Sequence, residues 1–334
     1  MKKWILLTAI IFCLFAFTTI INNTNDPSEI KTAINKSLPL LESSSHEFLT
    51  NAATCHSCHS QSLPDITFSL ARTKGFAVNK TTVDEALDSI INNWSSVKAG
   101  LAESDDPALP INISGGYDLW ALSANHYKTN KTITLIIENI MHRQTGNGSW
   151  VSPNPRPPLE YYSFTATALA IKGMQAYAPV VLKDEVSQRI NIARNWLIHT
   201  TAETNEEKAY QLLGLSWSNA DSNFIKEDAK NLLAKQHKDG GWSQLDSLPT
   251  DAYATGQSLY ALNQSGQLDI NASPYQKGIT FLLKTQFTDG SWEARTRSYP
   301  IIPYVTSGFP HDDNQFISSA ASSWATIALL LAAK

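Results

Sequence analysis

The sequence predicts an all-α protein made of about six helical hairpins in series, and three observations carry that prediction. The first is a phrase that occurs three times: Gln144-Thr145-Gly146-Asn147-Gly148-Ser149-Trp150, Gln236-His237-Lys238-Asp239-Gly240-Gly241-Trp242 and Gln286-Phe287-Thr288-Asp289-Gly290-Ser291-Trp292. Each copy is a glutamine, three residues, a glycine, one residue and a tryptophan. The second is the pattern around each copy, with apolar residues at helical spacing before it and a stretch of small and apolar residues after it. The third is composition: of 334 residues, 43% are apolar and 17% charged, which suits a chain with a large buried core.

The phrase reads as a helix stop. Its glycine accepts the positive φ that ends a helix, the tryptophan ring folds over the turn, and the glutamine amide ties carbonyls left open at the helix end. In chain order, the first hairpin pairs residues 29–49 with 63–74, and the second pairs 82–98 with 117–126. The third runs into Gln144 and resumes at 164–176. The tryptophans stand 92 and 50 residues apart (242 − 150 and 292 − 242), so the longer gap fits two units. The hidden fourth unit is Ala193-Arg194-Asn195-Trp196-Leu197, which lacks the Gly-x-Trp ending, paired with 209–217. The fifth ends at Gln236 and resumes at 254–262. The sixth pairs Lys277-Gly278-Ile279-Thr280-Phe281-Leu282-Leu283 with 318–331.

Ahead of the hairpins, Met1-Lys2-Lys3 and the uncharged residues 4–21 read as an export signal or an N-terminal membrane anchor over residues 1–22, leaving 23–334 as one domain. The folded part is then expected outside the cytoplasm, periplasmic or anchored facing outward, with membrane association through residues 4–21. Net charge is −4 with no long basic run, which excludes nucleic acid as a partner.

Once the N-terminal segment with Cys13 is set aside, both remaining cysteines fall in Cys55-His56-Ser57-Cys58-His59. In C-x-x-C-H, two thiols add to the haem vinyl groups while the histidine ligates iron, so Cys55, Cys58 and His59 are expected to hold one covalent haem c. Two other readings compete: a Cys55–Cys58 disulfide, and zinc held by the two cysteines and histidines, which the adjacency of Cys58 and His59 disfavours. His56 is read as an exposed spacer.

The Gln-Trp phrases resemble the repeat of the α/α-toroid family of squalene-hopene cyclases and protein prenyltransferases, over roughly residues 29–334. The resemblance implies that the hairpins close into a ring, first helices outside and second helices inside, around a central cavity. Ring closure would bring the last hairpin beside the first and make His311, in Gly308-Phe309-Pro310-His311-Asp312-Asp313, the candidate sixth iron ligand. Glu160, Tyr161, Tyr162, Asp251, Tyr253, Asp312 and Asp313 would line the cavity rim, although carboxylates at helix N-termini also serve as caps. The resemblance does not extend to the family's catalytic motifs. The cyclases' Asp-x-Asp-Asp acid is absent, Asp312-Asp313 being the nearest phrase, and Asp251-Ala252-Tyr253 has tyrosine where the prenyltransferase zinc site needs cysteine.

The reading that follows is an exported c-type haem protein on a toroid scaffold, with electron transfer or a haem-linked redox reaction as its function. Its partner is a redox protein or a small apolar molecule in the cavity. The alternatives are a terpenoid-cyclase-like or lipid-binding enzyme with a Cys55–Cys58 disulfide, and a non-catalytic interaction scaffold.

Overall fold

Among the described residues, twelve helices alternate between an outer and an inner layer. The computed structural model describes residues 25–52, 56–103, 111–152, 154–300 and 304–333. The outer helices are α1 (Pro27–Ala52), α3 (Lys80–Ser96), α6 (Lys131–His142), α8 (Lys183–His199), α10 (Ser222–Leu233) and α12 (Ser273–Thr285). Their inner partners are α2 (Leu63–Thr73), α5 (Gly116–Ala124), α7 (Ser163–Tyr177), α9 (Asn205–Trp217), α11 (Ala252–Gln264) and α13 (Gln315–Ala332), with α4 (Lys98–Glu103) a short addition after α3. Each inner helix packs on the next, and α13 packs on α2, so the six hairpins close into the α/α toroid that the repeats predict. Residues 1–22, with Cys13, and Cys55 lie outside the described residues.

The two layers differ because their burial differs. The outer α12 buries one stripe, with Tyr275, Ile279 and Leu282 fully enclosed, and leaves its other face to solvent. The inner α13 is buried almost all round and is correspondingly apolar, with alanines and serines that let neighbours approach closely. At Gly256 on α11, a Cβ would lie 2.4 Å from the Trp324 carbonyl carbon, so glycine is needed for this backbone contact. Buried serines on α13 satisfy their hydroxyls across the seams, as Ser319 does by donating to the His59 carbonyl at 3.0 Å.

The repeated phrase joins three helices at once. The side-chain amides of Gln144, Gln236 and Gln286 each donate to the carbonyl of their own turn glycine at 2.9, 2.8 and 3.1 Å. Each also donates to the next outer helix, at Arg189, Pro274 and Ala33 (3.0, 2.8 and 2.9 Å). The indole N–H of Trp150, Trp242 and Trp292 donates to the carbonyl ten residues earlier. Their backbone N–H groups donate to Thr167, Thr255 and Ser322 on the following inner helix. The third copy reaches from α12 to α1 and fastens the two ends of the ring.

One local feature departs from the sequence reading. Cys58 and His59 do not sit in an open loop; residues Cys58–Ser62 form a π-helical turn that runs directly into α2. Ser57 initiates it, its hydroxyl accepting from the Ser60 N–H at 3.1 Å while its own N–H donates to Gln61 Oε1 at 2.9 Å. A second π turn, Ile111–Gly115, opens α5. Such turns are frequent at functional sites, and Cys58 and His59, the first two residues of this one, are both buried.

Candidate functional site

Two segments meet at the rim of the ring: the π turn before α2 and the chain that leads into α7. In the latter, the Glu160 N–H donates to the Arg156 carbonyl at 3.0 Å, and Ser152 holds the Glu160 carbonyl at 3.1 Å. The Glu160 side chain thereby points to the π turn. Its Oε1 accepts from the Cys58 thiol at 2.8 Å, while Oε2 accepts from Asn154 Nδ2 and Arg156 Nη1, both at 3.1 Å. The donor atoms of Cys58, His59 and Glu160 all lie within 4.8 Å of one another, and all three residues are buried. The His59 ring sits between Phe48 and Phe316, with centroids 6.0 and 4.7 Å away, and its Nε2 has no hydrogen-bond partner.

Burial dominates the electrostatics here. It pushes the Cys58 thiol well above its ordinary value, reinforced by the adjacent Glu160 carboxylate. It pushes His59 down to about 3, helped by the Arg156 charge and then His56. A cavity of about 180 Å³ opens beside these groups, lined by His59, Glu160, Arg156, Tyr299, Tyr304 and Phe316 among others.

Below the rim, the ring axis is filled with aromatic side chains. Tyr117, Tyr210 and Tyr253 are fully buried; beneath them Trp120 packs against Trp217, Tyr260 and Trp324 at centroid distances of 5.4, 5.7 and 6.0 Å. Glu206 stands with them on α9. It accepts from Thr165 at 3.0 Å, Tyr253 at 2.9 Å and Gln257 at 2.7 Å, and burial raises its carboxyl to about 7 in spite of those bonds.

The other residues expected at the rim divide into several roles. Asp251 caps α11, accepting from the Ala254 N–H at 2.8 Å and from Gln244 at 3.0 Å, and burial lifts it to about 6. Tyr253 points inward to Glu206. Tyr161 is half exposed and packs edge-on against Tyr162, whose hydroxyl accepts from Arg297 at 3.4 Å. Asp313 lines the rim cavity, and Asp312 stands in the short 3-10 turn before α13.

His311 turns away from His59. Its Nε2 pairs with the Ser291 hydroxyl at 2.8 Å and its ring stacks edge-on to Phe287, so it buttresses the last Gly-Ser-Trp turn, while Phe316 occupies the face of His59. His56 is no exposed spacer either: its buried ring contacts Asp118 at 2.9 Å, Ser62 at 3.0 Å and Ser89 at 2.9 Å. Cys58 is a free thiol, and Cys55, its partner in the disulfide reading, lies outside the described residues.

Glu206 is the residue sequence reasoning passes over. Thr204 and Glu207 form a capping box at the start of α9, and a second glutamate in that first turn looks like further complement to the helix dipole. The available signal is spacing: Glu206, Tyr210, Leu213 and Trp217 recur at helical intervals on one face.

No family model matches the chain. Over 138 residues it is 25% identical to lanosterol synthase of Candida albicans, a stretch covering 35% of this chain and 19% of that enzyme, so the match spans about a fifth of the relative's length. The fold is similar to that of the type II terpene cyclase MstE from Scytonema. A variant of that cyclase in complex with its substrate, geranylgeranyl dihydroxybenzoate, aligns with a TM-score of 0.57 at 14% identity, covering 92% of this chain and 98% of that one. The apo form aligns with a TM-score of 0.56, also at 14% identity, over 92% and 99%. A variant bound to the product merosterolic acid A gives 0.54 at 12% identity, over 92% and 98%.

These likenesses contradict the expectation of a haem-linked electron carrier and favour the terpenoid alternative.

Proposed function

We propose that this chain is a terpenoid-cyclase-like enzyme that folds a small isoprenoid chain against the aromatic interior of the ring, with Glu206 as the proton donor. One observation carries the reading: a fully buried carboxyl stands at the head of a column of tyrosine and tryptophan rings. A carboxylic acid near neutrality in an apolar site can protonate an alkene, its proton adding to one carbon and leaving a tertiary cation on the other. The ring faces of Tyr253 and Tyr210, next to Glu206, would stabilise that cation as the chain's next double bond attacks it. Loss of a proton to a base then closes the cycle and leaves a neutral product.

The rim cavity, smaller than the 300–1,000 Å³ of typical ligand pockets and not lined by Glu206, would be the entrance for a short prenyl chain. The terpene cyclase likeness and the lanosterol synthase match support the reaction class. Residues 4–21 would place the reaction outside the cytoplasm or at a membrane surface.

The test is incubation of the purified full chain with linear prenyl substrates of increasing length and analysis of the products by gas chromatography and mass spectrometry. Cyclic isomers are expected with the wild type and not with Glu206→Gln. Absence of any cyclised product across the series, or undiminished turnover by Glu206→Gln, would reject the assignment.

A further inference from the structure

The Cys58, His59 and Glu160 cluster has no part in the proton transfer assigned to Glu206, yet its chemistry is specific. A thiol, an imidazole nitrogen and a carboxylate oxygen converge within 4.8 Å, and each belongs to a buried residue. His59 is 7% exposed, and its Nε2, enclosed among Phe48, Phe316 and the rim, finds no hydrogen-bond partner in the protein. A buried polar atom left in that state is costly unless something completes it.

We propose that Cys58 Sγ, His59 Nε2 and Glu160 Oε1 form a three-donor site for a zinc-type divalent cation, with the remaining coordination position turned to the rim cavity. The donor set fits such an ion on three counts. Sulfur and imidazole ligands select zinc over magnesium or calcium, which prefer oxygen alone. Three protein ligands with one open position is the arrangement of reactive zinc sites. A thiolate and a carboxylate together balance the charge of a dication, and the one net positive charge gained when the thiol proton leaves falls to Arg156, which pairs with Glu160 and is partly open to solvent.

The donors, all within 4.8 Å of one another, must settle to the spacing of a tetrahedral site. In a tetrahedral zinc site, bond lengths of about 2.0–2.3 Å put neighbouring donors roughly 3.5 Å apart. The Cys58 Sγ to Glu160 Oε1 separation is 2.8 Å, a distance set by the shared thiol proton. On binding, the S–H bond breaks, the S–metal bond forms and the proton leaves to solvent, which removes the reason for the closer approach. The supports are already in place. Asn154 and Arg156 hold Glu160 Oε2 and leave Oε1 free for the ion, and Ser319 fixes the His59 carbonyl. Adjacency of Cys58 and His59, which argued against zinc in the sequence, is resolved by the π turn and by a third ligand 102 residues away.

The site is independent of the cyclase reading and its test does not use turnover. The full chain, produced without added metal and stripped with a chelator, is titrated with cobalt(II) and then with zinc. One cobalt equivalent is expected per chain, with the charge-transfer band of a cobalt–thiolate bond and the visible bands of a four-coordinate ion, both erased by zinc. Cys58→Ser should abolish the charge-transfer band, and His59→Ala or Glu160→Gln should weaken zinc binding about tenfold or more, with far-UV circular dichroism confirming that each variant is folded. Zinc should also raise the wild-type melting temperature in a concentration-dependent way. The proposal is overturned if the wild type binds no cobalt, if Cys58→Ser keeps the charge-transfer band, or if mass spectrometry finds Cys58 bonded to Cys55 or to a haem.

Discussion

Tyr117 on α5 and Tyr210 on α9 meet with their hydroxyl oxygens 2.6 Å apart, although α7 separates their helices in the ring. Their contact therefore crosses the interior and shows that the centre is closed by side chains at this level. Trp120, parallel to Tyr117 at a centroid distance of 6.5 Å, continues the filling one turn below. The rim cavity lies apart from this plug, lined by His59, Glu160, Arg156 and Phe316 and not by Glu206.

Trp120 is the keystone of the plug because it touches rings from three other inner helices. Trp120→Ala should destabilise the fold by about 3–5 kcal/mol, the range for removing a large aromatic from a packed core. Denaturant unfolding measures this, with the midpoint falling and the slope unchanged. A loss under 1 kcal/mol would mean that the neighbouring rings collapse into the gap.

Ring closure rests on the third Gln-Trp turn. Gly290 has φ +95°, and a Cβ there would lie 2.5 Å from the Lys36 carbonyl oxygen on α1. Gly146, in the first turn, has nothing within 4 Å of its Cβ position. Gly290→Ala should therefore cost roughly 2–4 kcal/mol, combining the left-handed backbone penalty with displacement of α1, while Gly146→Ala should be close to neutral. Equal melting temperatures for the two variants would refute the idea that this turn fastens the ends of the chain.

The contrast between those glycines marks what the sequence discloses. The six hairpins were legible because three Gly-x-Trp turns set a unit of about fifty residues and because the outer helices are striped while most inner ones are rich in small and apolar residues. The site was less legible. Cys58 and His59 drew attention through local spacing, but their neighbour Glu160 is brought in by a fold contact over 102 positions that no local pattern encodes. The motif suggested haem through the order and spacing of its thiols and histidine; Ser57, Cys58 and His59 are buried against partners that the spacing does not announce. His311 was correctly expected in the last hairpin loop, but a side chain's direction depends on the backbone, and φ 81° at His311 turns it to Ser291.

That assignment of His311 is testable on its own. His311→Ala should lose one partly buried hydrogen bond and an aromatic contact, lowering stability by about 0.5–1.5 kcal/mol. The cobalt spectrum of the rim cluster should stay unchanged, because His311 touches none of its members. A shifted spectrum would place His311 back at the rim.

Glu206 links stability to pH. Its carboxyl titrates at about 7 in the folded chain against 4.5 when unfolded, so between those values the folded state keeps a proton that the unfolded state has released. Stability from this group is full below pH 4.5 and is lost as pH rises to about 7, by roughly 3 kcal/mol in all. His59 works in the opposite direction, since its neutral ring makes the fold lose stability as pH falls below 6.5. Asp251, lifted to about 6 from 3.8, adds a slope of the same sign as Glu206. The wild-type curve therefore mixes opposing terms, and the difference between wild type and Glu206→Gln isolates one of them. That difference should decline from pH 4.5 to 7 and be flat above. If Glu206 is also the proton donor, turnover should fall about tenfold per pH unit above 7 as the acid ionises. A flat stability difference with such a falling rate would assign the rate-controlling proton to another group, with Asp251 the next buried acid at the rim.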